Sequence, residues 1–97
     1  MKGHDAVIFE GRKQLGGKIT ETIPQSRIPD EVVDHEINRF AKSVRHIHLN
    51  ASLTREKFKK LKNEYDFIVI AAGAAQPRKI NVPGMDRAIP ALDFLKQ

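Results

Sequence analysis

An acidic residue at the end of an apolar run, followed closely by a glycine pair, is the feature of this sequence best suited to bind a cofactor. The run Val7–Phe9 leads to Glu10, and Gly16 and Gly17 follow after a five-residue gap. This pattern is typical of the second strand of a dinucleotide-binding unit, where the acid holds a ribose hydroxyl. Glycines let the backbone approach a ligand closely. Glu10, Gly16 and Gly17 are therefore candidate binding residues.

The turn that grips the pyrophosphate in such units does not lie in this sequence. It has the pattern Gly-x-Gly-x-x-Gly and is found about 20 residues before the acid. Only nine residues precede Glu10. The sequence therefore predicts part of a dinucleotide-binding domain, and we expect no catalysis from this chain alone.

A histidine pair has the spacing of metal ligands. His46 and His48 would share one face of a strand, and His35 and Glu36 lie on the preceding predicted helix. Spacing fixes no third ligand, so exposed histidines are the favoured interpretation over a metal site.

Two stretches suggest phosphate or nucleic-acid binding, but both fit other interpretations better. Residues 11–18 imitate a P-loop, which requires Lys directly after its second glycine, and Gly17 occupies that position. Residues 55–62 are strongly basic, but Phe58 is their one aromatic residue. Without more stacking aromatics, a solvated helix face is favoured over a nucleic-acid interface.

Composition restricts the class of protein. The chain has 97 residues, of which 40% are hydrophobic and 30% charged, and its net charge is +5. These values predict one small globular domain with a thin core, and they favour anionic partners. There is no cysteine, which excludes disulfides and thiolate metal sites. No apolar run is long enough for a membrane span, and residues 1–9 are too polar for a signal peptide, so a cytoplasmic location is expected.

Strand and helix patterns alternate along the chain. The last strand, YDFIVIAA, is the most apolar stretch and is expected to be the central buried one. Residues 18–28 show no clean period and are expected to be irregular. The expected elements are strands at residues 5–9, 45–50 and 65–72, a helix from Pro29 to near Ser43, a helix capped by Thr54, and a short helix at 90–96.

This order predicts an α/β fold. We expect an incomplete Rossmann-like domain over residues 1–97, with about three mostly parallel strands and two to three helices. The apolar stripe of the first long helix includes Val33, Ile37 and Phe40. Phe40 and Phe58 are expected to be core residues.

Several segments together resemble one family. They are FEGRKQLGG at residues 9–17, IPQ at 23–25, RIP at 27–29, EVV at 31–33, EI at 36–37, YD at 65–66, AGA at 72–74, PR at 77–78, VPG at 82–84 and DFL at 93–95. In this order and spacing they resemble the small (beta) subunit of glutamate synthase and the corresponding flavin region of dihydropyrimidine dehydrogenase. The similarity runs from about residue 3 to residue 95.

The resemblance implies a cofactor and an activity. This family binds FAD on a Rossmann-like domain, takes hydride from NADPH or NADH on a second domain, and passes electrons on through iron–sulfur clusters. The resemblance implies that Glu10 binds the adenosine ribose of FAD and that Gly16 and Gly17 line the flavin cleft. It implies that Arg27 reaches the cofactor, that Leu53 touches the adenine region through its backbone, and that Ala72, Gly73 and Ala74 form a turn close to the flavin.

Three functional hypotheses follow. The first is a segment of an NAD(P)H-dependent, FAD-containing oxidoreductase, here called the parent enzyme, which contributes flavin binding for electron transfer. Its partners would be the remainder of the parent enzyme or its large subunit. The second is a free-standing, non-catalytic module that keeps the fold and binds a protein partner through an exposed sheet edge. The third is a basic nucleic-acid binder.

Overall fold

The computed structural model describes residues 3–96 as an α/β arrangement with a small parallel sheet. A single turn of 3-10 helix, Met85–Arg87, precedes the last α-helix. The elements are strand β1 (Val7–Phe9), helix α1 (Lys18–Thr22), helix α2 (Asp30–Ala41), strand β2 (His46–His48), helix α3 (Arg55–Glu64) and helix α4 (Ala91–Leu95).

The two strands pair in parallel, which confirms the predicted strand direction. Ile8 lies opposite Ile47, and Phe9 lies opposite His48. Helix α2 connects the strands, because parallel neighbours need a crossover rather than a tight turn. Because β1 and β2 run the same way, their carboxyl ends meet at one edge of the sheet.

The two longest helices begin as the sequence predicts. Pro29 precedes α2, whose first turn carries Asp30 and Glu31, where negative charge interacts favourably with the helix dipole. The hydroxyl of Thr54 accepts a hydrogen bond from the backbone N–H of Lys57 at 3.3 Å and so caps α3.

The prediction that residues 18–28 are irregular was wrong for the first five, because Lys18–Thr22 forms helix α1; residues 23–28 are irregular as predicted. The helix is only five residues long, too short to show a 3.6-residue period. Hydrogen bonds from the hydroxyl of Thr20 to the Gly17 carbonyl and from the hydroxyl of Thr22 to the Lys18 carbonyl support it locally. Helix α1 packs on α2 and α4. With α1 the described chain has four α-helices, more than the predicted two to three.

The predicted third strand was also wrong. Residue 66 lies in a bend, residues 67–72 have no regular secondary structure, and β1–β2 is the complete sheet within residues 3–96. Phe67 is 86% exposed and Val69 is 89% exposed. The apolar, β-branched composition favours a strand, but a strand also needs a neighbour to satisfy its backbone, and no described segment supplies one here.

The core is correspondingly thin. Among the described residues no hydrophobic side chain is fully buried, and Phe40, expected in the core, is 52% exposed. Val33, Ile37 and Phe58 are half-buried. The radius of gyration is 17.1 Å, whereas a compact chain of this length has about 12.5 Å. The chain is thus less compact than usual for its length, in agreement with the exposure of its apolar residues after α3.

None of the helices within residues 3–96 has the length and apolar character that a membrane crossing requires.

Candidate dinucleotide site at the carboxyl ends of the strands

The chain segments that leave β1 and β2 remain hydrogen-bonded to each other beyond the strands. The N–H of Glu10 donates to the His48 carbonyl at 2.9 Å, and the N–H of Ala51 donates to the Glu10 carbonyl at 2.8 Å. The N–H of Asn50 donates to the Arg12 carbonyl at 2.8 Å, and Asn50 has a φ of 51°, a left-handed conformation that asparagine tolerates. These bonds fix the position of the acid at the strand tip.

The Glu10 carboxylate lies at that tip and is half-buried. Its Oε1 accepts a hydrogen bond from the backbone N–H of Arg12 at 3.0 Å. Within the part of the chain that the structure describes, its Oε2 has no hydrogen-bond partner. One carboxylate oxygen therefore orients the group, and the other is available to accept a hydrogen bond from a ligand hydroxyl.

The glycine pair shapes the loop between β1 and α1. Gly16 has a φ of 116° and Gly17 a φ of 54°, so both use backbone that side chains rarely adopt. A Cβ at Gly16 would overlap the methyl group of Thr20 and lie 3.1 Å from Cδ1 of Ile37, whereas a Cβ at Gly17 would meet open space. Gly16 is thus needed for packing, and Gly17 leaves room beside the backbone.

A cavity of about 410 Å³ lies beside this loop. Arg12 in its wall forms an ion pair with Glu21, whose other oxygen is 3.9 Å from Nζ of Lys96. The cavity lining thus carries two cations, Arg12 and Lys13, and one carboxylate, Glu21, which favours an anionic ligand. The lining residues are Arg12, Lys13, Gln14, Thr20, Glu21 and Asn50.

A long-range hydrogen bond brings the turn at residues 72–74 to this region. Nζ of Lys18 donates to the Ala74 carbonyl at 2.8 Å, across 56 residues of sequence. Gly73 in that turn has a φ of 74°. The turn therefore lies beside the start of α1, directly after the glycine pair.

None of the predicted residues lines this cavity, and the remaining two, Arg27 and Leu53, belong to other segments of the chain. Arg27 is exposed in the turn after α1, where its N–H donates to the Pro24 carbonyl at 2.9 Å. Leu53 is 43% exposed and lines a different cavity of about 310 Å³, next to the stacked rings of Phe9 and His48, whose centroids are 4.6 Å apart. Of the predicted residues, Glu10 and the glycine pair belong to the loop that follows β1, and the hydrogen bond of Lys18 links the end of that loop to the turn at 72–74.

The sequence pattern did not single out Arg12, Lys13 or Asn50 as site residues. The two cations follow the acid after one glycine, which was a usable signal, but they were assigned only to solvating the loop. Asn50 lines the cavity with a left-handed backbone conformation that is visible only in the structure.

The histidine pair does not form part of a metal centre in the described region. The rings of His46 and His48 lie 4.2 Å apart between centroids. Among residues 3–96, no group of three or more His, Cys, Asp or Glu side chains is placed to hold a metal ion.

Nearly the whole chain is similar to short stretches of much longer oxidoreductases. YgfK of Escherichia coli K12, named as an oxidoreductase, is 30% identical over 98% of this chain and 9% of its own length. The NADP(+)-dependent formate dehydrogenase subunit beta of Moorella thermoacetica is 28% identical over 98% of this chain and 14% of its own. The glutamate synthase [NADPH] small chain of Bacillus subtilis is 24% identical over 87% of this chain and 17% of its own.

The predicted resemblance to the glutamate synthase small chain is confirmed. The chain spans about a tenth of the length of YgfK and less than a fifth of the Moorella and Bacillus proteins. No protein-family profile and no solved structure matches the chain. The oxidoreductase similarity therefore comes from sequence relatives alone.

Proposed function

We propose that this chain is the segment of an NAD(P)H-dependent, FAD-containing oxidoreductase that carries the adenosine-ribose acid and two cofactor-lining turns. The observation that supports the proposal is that Glu10, at the tip of β1, opens a loop whose residues 12–14 line a cavity with more cations than carboxylates. The same loop ends in the glycine pair, and Lys18 directly after it bonds to the Ala74 carbonyl. Ligands of open α/β sheets bind at the carboxyl ends of the strands.

In this proposal Oε2 of Glu10 accepts a hydrogen bond from a ribose hydroxyl. The backbone of Gly16 and Gly17 lines the cleft on one side, and the backbone of Ala72, Gly73 and Ala74 lines it on the other. Positive φ angles at Gly17 and Gly73 support these roles, because the space beside their backbone is open in each case. Arg27 and Leu53 remain proposed cofactor contacts on the strength of the resemblance, since both lie outside the cavity.

The incomplete Rossmann-like character of residues 1–97, as one partial domain, belongs to the same proposal. FAD would supply the redox chemistry when bound. The residues of this chain would hold the adenosine part of it and exclude water from the cleft. The pyrophosphate turn, the nicotinamide-binding domain and the iron–sulfur clusters would come from the rest of a cytoplasmic parent enzyme, so electron transfer would require that remainder.

Titration of the isotope-labelled chain with ADP-ribose, and separately with FAD, tests this proposal by NMR. We expect backbone amide shifts at Glu10, Gly16, Gly17 and Gly73. The variant Glu10→Gln should weaken ADP-ribose binding roughly tenfold to a hundredfold, because a hydrogen bond to a charged acceptor contributes about 1.5–3 kcal/mol.

Glu36→Gln is the matched control. Glu36 is an exposed α2 residue whose side chain is 62% accessible, and its replacement should leave binding unchanged. Absence of shifts at these amides with millimolar ADP-ribose would overturn the proposal for this chain, and equal weakening by both variants would remove Glu10 from the site.

A second candidate function is the non-catalytic protein-interaction module, which the exposure of residues 66–72 favours. Ile70 in that stretch is 75% exposed, in addition to the exposure of Phe67 and Val69. Exposed apolar segments of this kind mark association sites on proteins.

A further inference from the structure

Arg12 is held from three directions at the start of the loop between β1 and α1. Its backbone N–H donates to Oε1 of Glu10 at 3.0 Å, and its carbonyl accepts from the N–H of Asn50 at 2.8 Å. Its guanidinium forms an ion pair with Oε1 of Glu21 on α1. The residue that orients the ribose acid is therefore itself anchored to helix α1.

Glu21 is well placed to serve as that anchor. Its side chain is 28% exposed, the next residue, Thr22, is buried, and α1 packs on α2 and α4. Oε2 of Glu21 is buried without a hydrogen-bond partner among residues 3–96, and it lies 3.9 Å from Nζ of Lys96, directly after α4. Because a half-buried charge is screened less by salt than an exposed one, Glu21 can fix the orientation of Arg12.

The loop between the acid and α1 supplies little rigidity of its own. Three of the seven residues from 11 to 17 are glycine, which has more conformational freedom to lose than any other residue. Residues 13–15 form no backbone hydrogen bond within the described part of the chain. The ion pair between Arg12 and Glu21 therefore joins the two ends of a loop that has few other internal contacts.

We propose that Glu21 is a positioning residue for the ribose acid, because it holds Arg12 where the Arg12 N–H keeps Glu10 oriented. The inference rests on the proposed function, since it gives Glu21 a role in the same site. The ion pair and the two hydrogen bonds of Arg12 all lie within residues 10–50, so they need no other segment in order to form.

Glu21→Gln distinguishes a positioning residue from a merely nearby negative charge. ADP-ribose is an anion, so removing a charge that only repels it would strengthen binding. Loss of a positioning ion pair that is partly exposed should instead weaken binding by about twofold to fivefold. We expect the weakening in an NMR titration of the isotope-labelled chain, and unchanged or tighter binding would overturn the proposal.

The amide proton of Arg12 reports the same arrangement without any ligand. In Glu10→Gln this proton loses its charged acceptor, which supplies a reference shift. We expect Glu21→Gln to move the Arg12 amide in the same direction, while the Glu10 N–H, which donates to the His48 carbonyl at 2.9 Å, keeps its shift and shows that the strands are intact. An unmoved Arg12 amide would overturn the proposal.

The ligand-free measurement also separates this inference from the proposed function. If the unmodified chain binds no ADP-ribose, the proposed function fails for this chain. The shift of the Arg12 amide in Glu21→Gln then still decides whether Glu21 positions Glu10.

Glu36→Gln is the matched control, because it makes the same change in charge and also removes an ion pair with an arginine, Nη1 of Arg39 at 3.7 Å. It should change neither the affinity for ADP-ribose nor the Arg12 amide. In the double variant Glu10→Gln/Glu21→Gln, the loss of Glu21 should add no further weakening, because its effect passes through Glu10. Additive losses would show that Glu21 acts independently of the ribose acid and would overturn the proposal.

Discussion

Gly16→Ala should destabilise the chain far more than the same change at the neighbouring glycine. A Cβ at residue 16 would overlap the Thr20 methyl group and approach Ile37 Cδ1 to 3.1 Å, in backbone with a φ of 116°. The unfavourable φ costs about 1–3 kcal/mol, and forced repacking of Thr20 costs about 1–3 kcal/mol more. The expected loss in the free energy of unfolding is therefore about 2–6 kcal/mol, a large fraction of the stability of a small domain.

Gly17→Ala is the matched control for this substitution. Its φ of 54° also disfavours a side chain, but a Cβ there meets nothing within 4 Å. Its expected cost is about 1–2 kcal/mol, so the difference between the two variants isolates the steric contact with Thr20.

Urea unfolding followed by circular dichroism measures both variants. With a slope of about 1 kcal/mol per molar urea, Gly16→Ala should lower the midpoint by about 2 M or more, or leave the chain unfolded in buffer. Adding Thr20→Ser removes the clashing methyl group but keeps the hydroxyl that donates to the Gly17 carbonyl at 2.9 Å. That double variant should recover the steric part of the loss.

A stabilising or neutral Gly16→Ala would refute this reasoning. Replacing glycine by alanine at a compatible position raises stability by about 0.4–1 kcal/mol, because it restricts the unfolded chain. Such a result would mean that residue 16 does not hold a positive φ against Thr20.

Two further predictions concern helix α3 and the contact between α1 and the turn at residues 72–74. Thr54→Ala should lower the free energy of unfolding by about 1 kcal/mol, because it removes the cap on the Lys57 N–H. Urea unfolding measures this loss, and an unchanged midpoint would argue against the cap. Lys18→Met should release the Ala74 carbonyl, 2.8 Å from the lysine Nζ, and shift the amides of residues 73–75 in the NMR spectrum. Lys62→Met, a change on α3 away from that contact, should leave those amides in place.

The predictions from sequence succeeded where local signals suffice. Thr54 caps α3 as its type predicts, and Asp30 and Glu31 mark the start of α2. Strands β1 and β2 lie where the apolar and alternating patterns place them, and their parallel pairing follows from the helix between them. Helix α1 was missed because a helix of five residues has too few turns to produce a period.

The candidate site was predictable in its residue types but not in its arrangement. The acid after an apolar run and the glycine pair are visible in the sequence. Sequence gave no means of showing that Lys18 bonds to Ala74, because that contact joins segments 56 residues apart. It also gave no sign that Arg27 and Leu53 would lie away from the cavity.

The segment at residues 66–72 shows most clearly the difference between what the sequence determines and what the tertiary structure decides. By itself the sequence determined that this stretch is apolar, that Glu10 follows a strand, and that the chain resembles part of the glutamate synthase small chain. Only the tertiary structure decided that the stretch is exposed rather than central, because burial of a strand depends on neighbours that hydrogen-bond to its backbone and cover its faces. Composition specifies which segments can be strands, whereas the presence of a neighbouring strand determines whether a sheet forms around them.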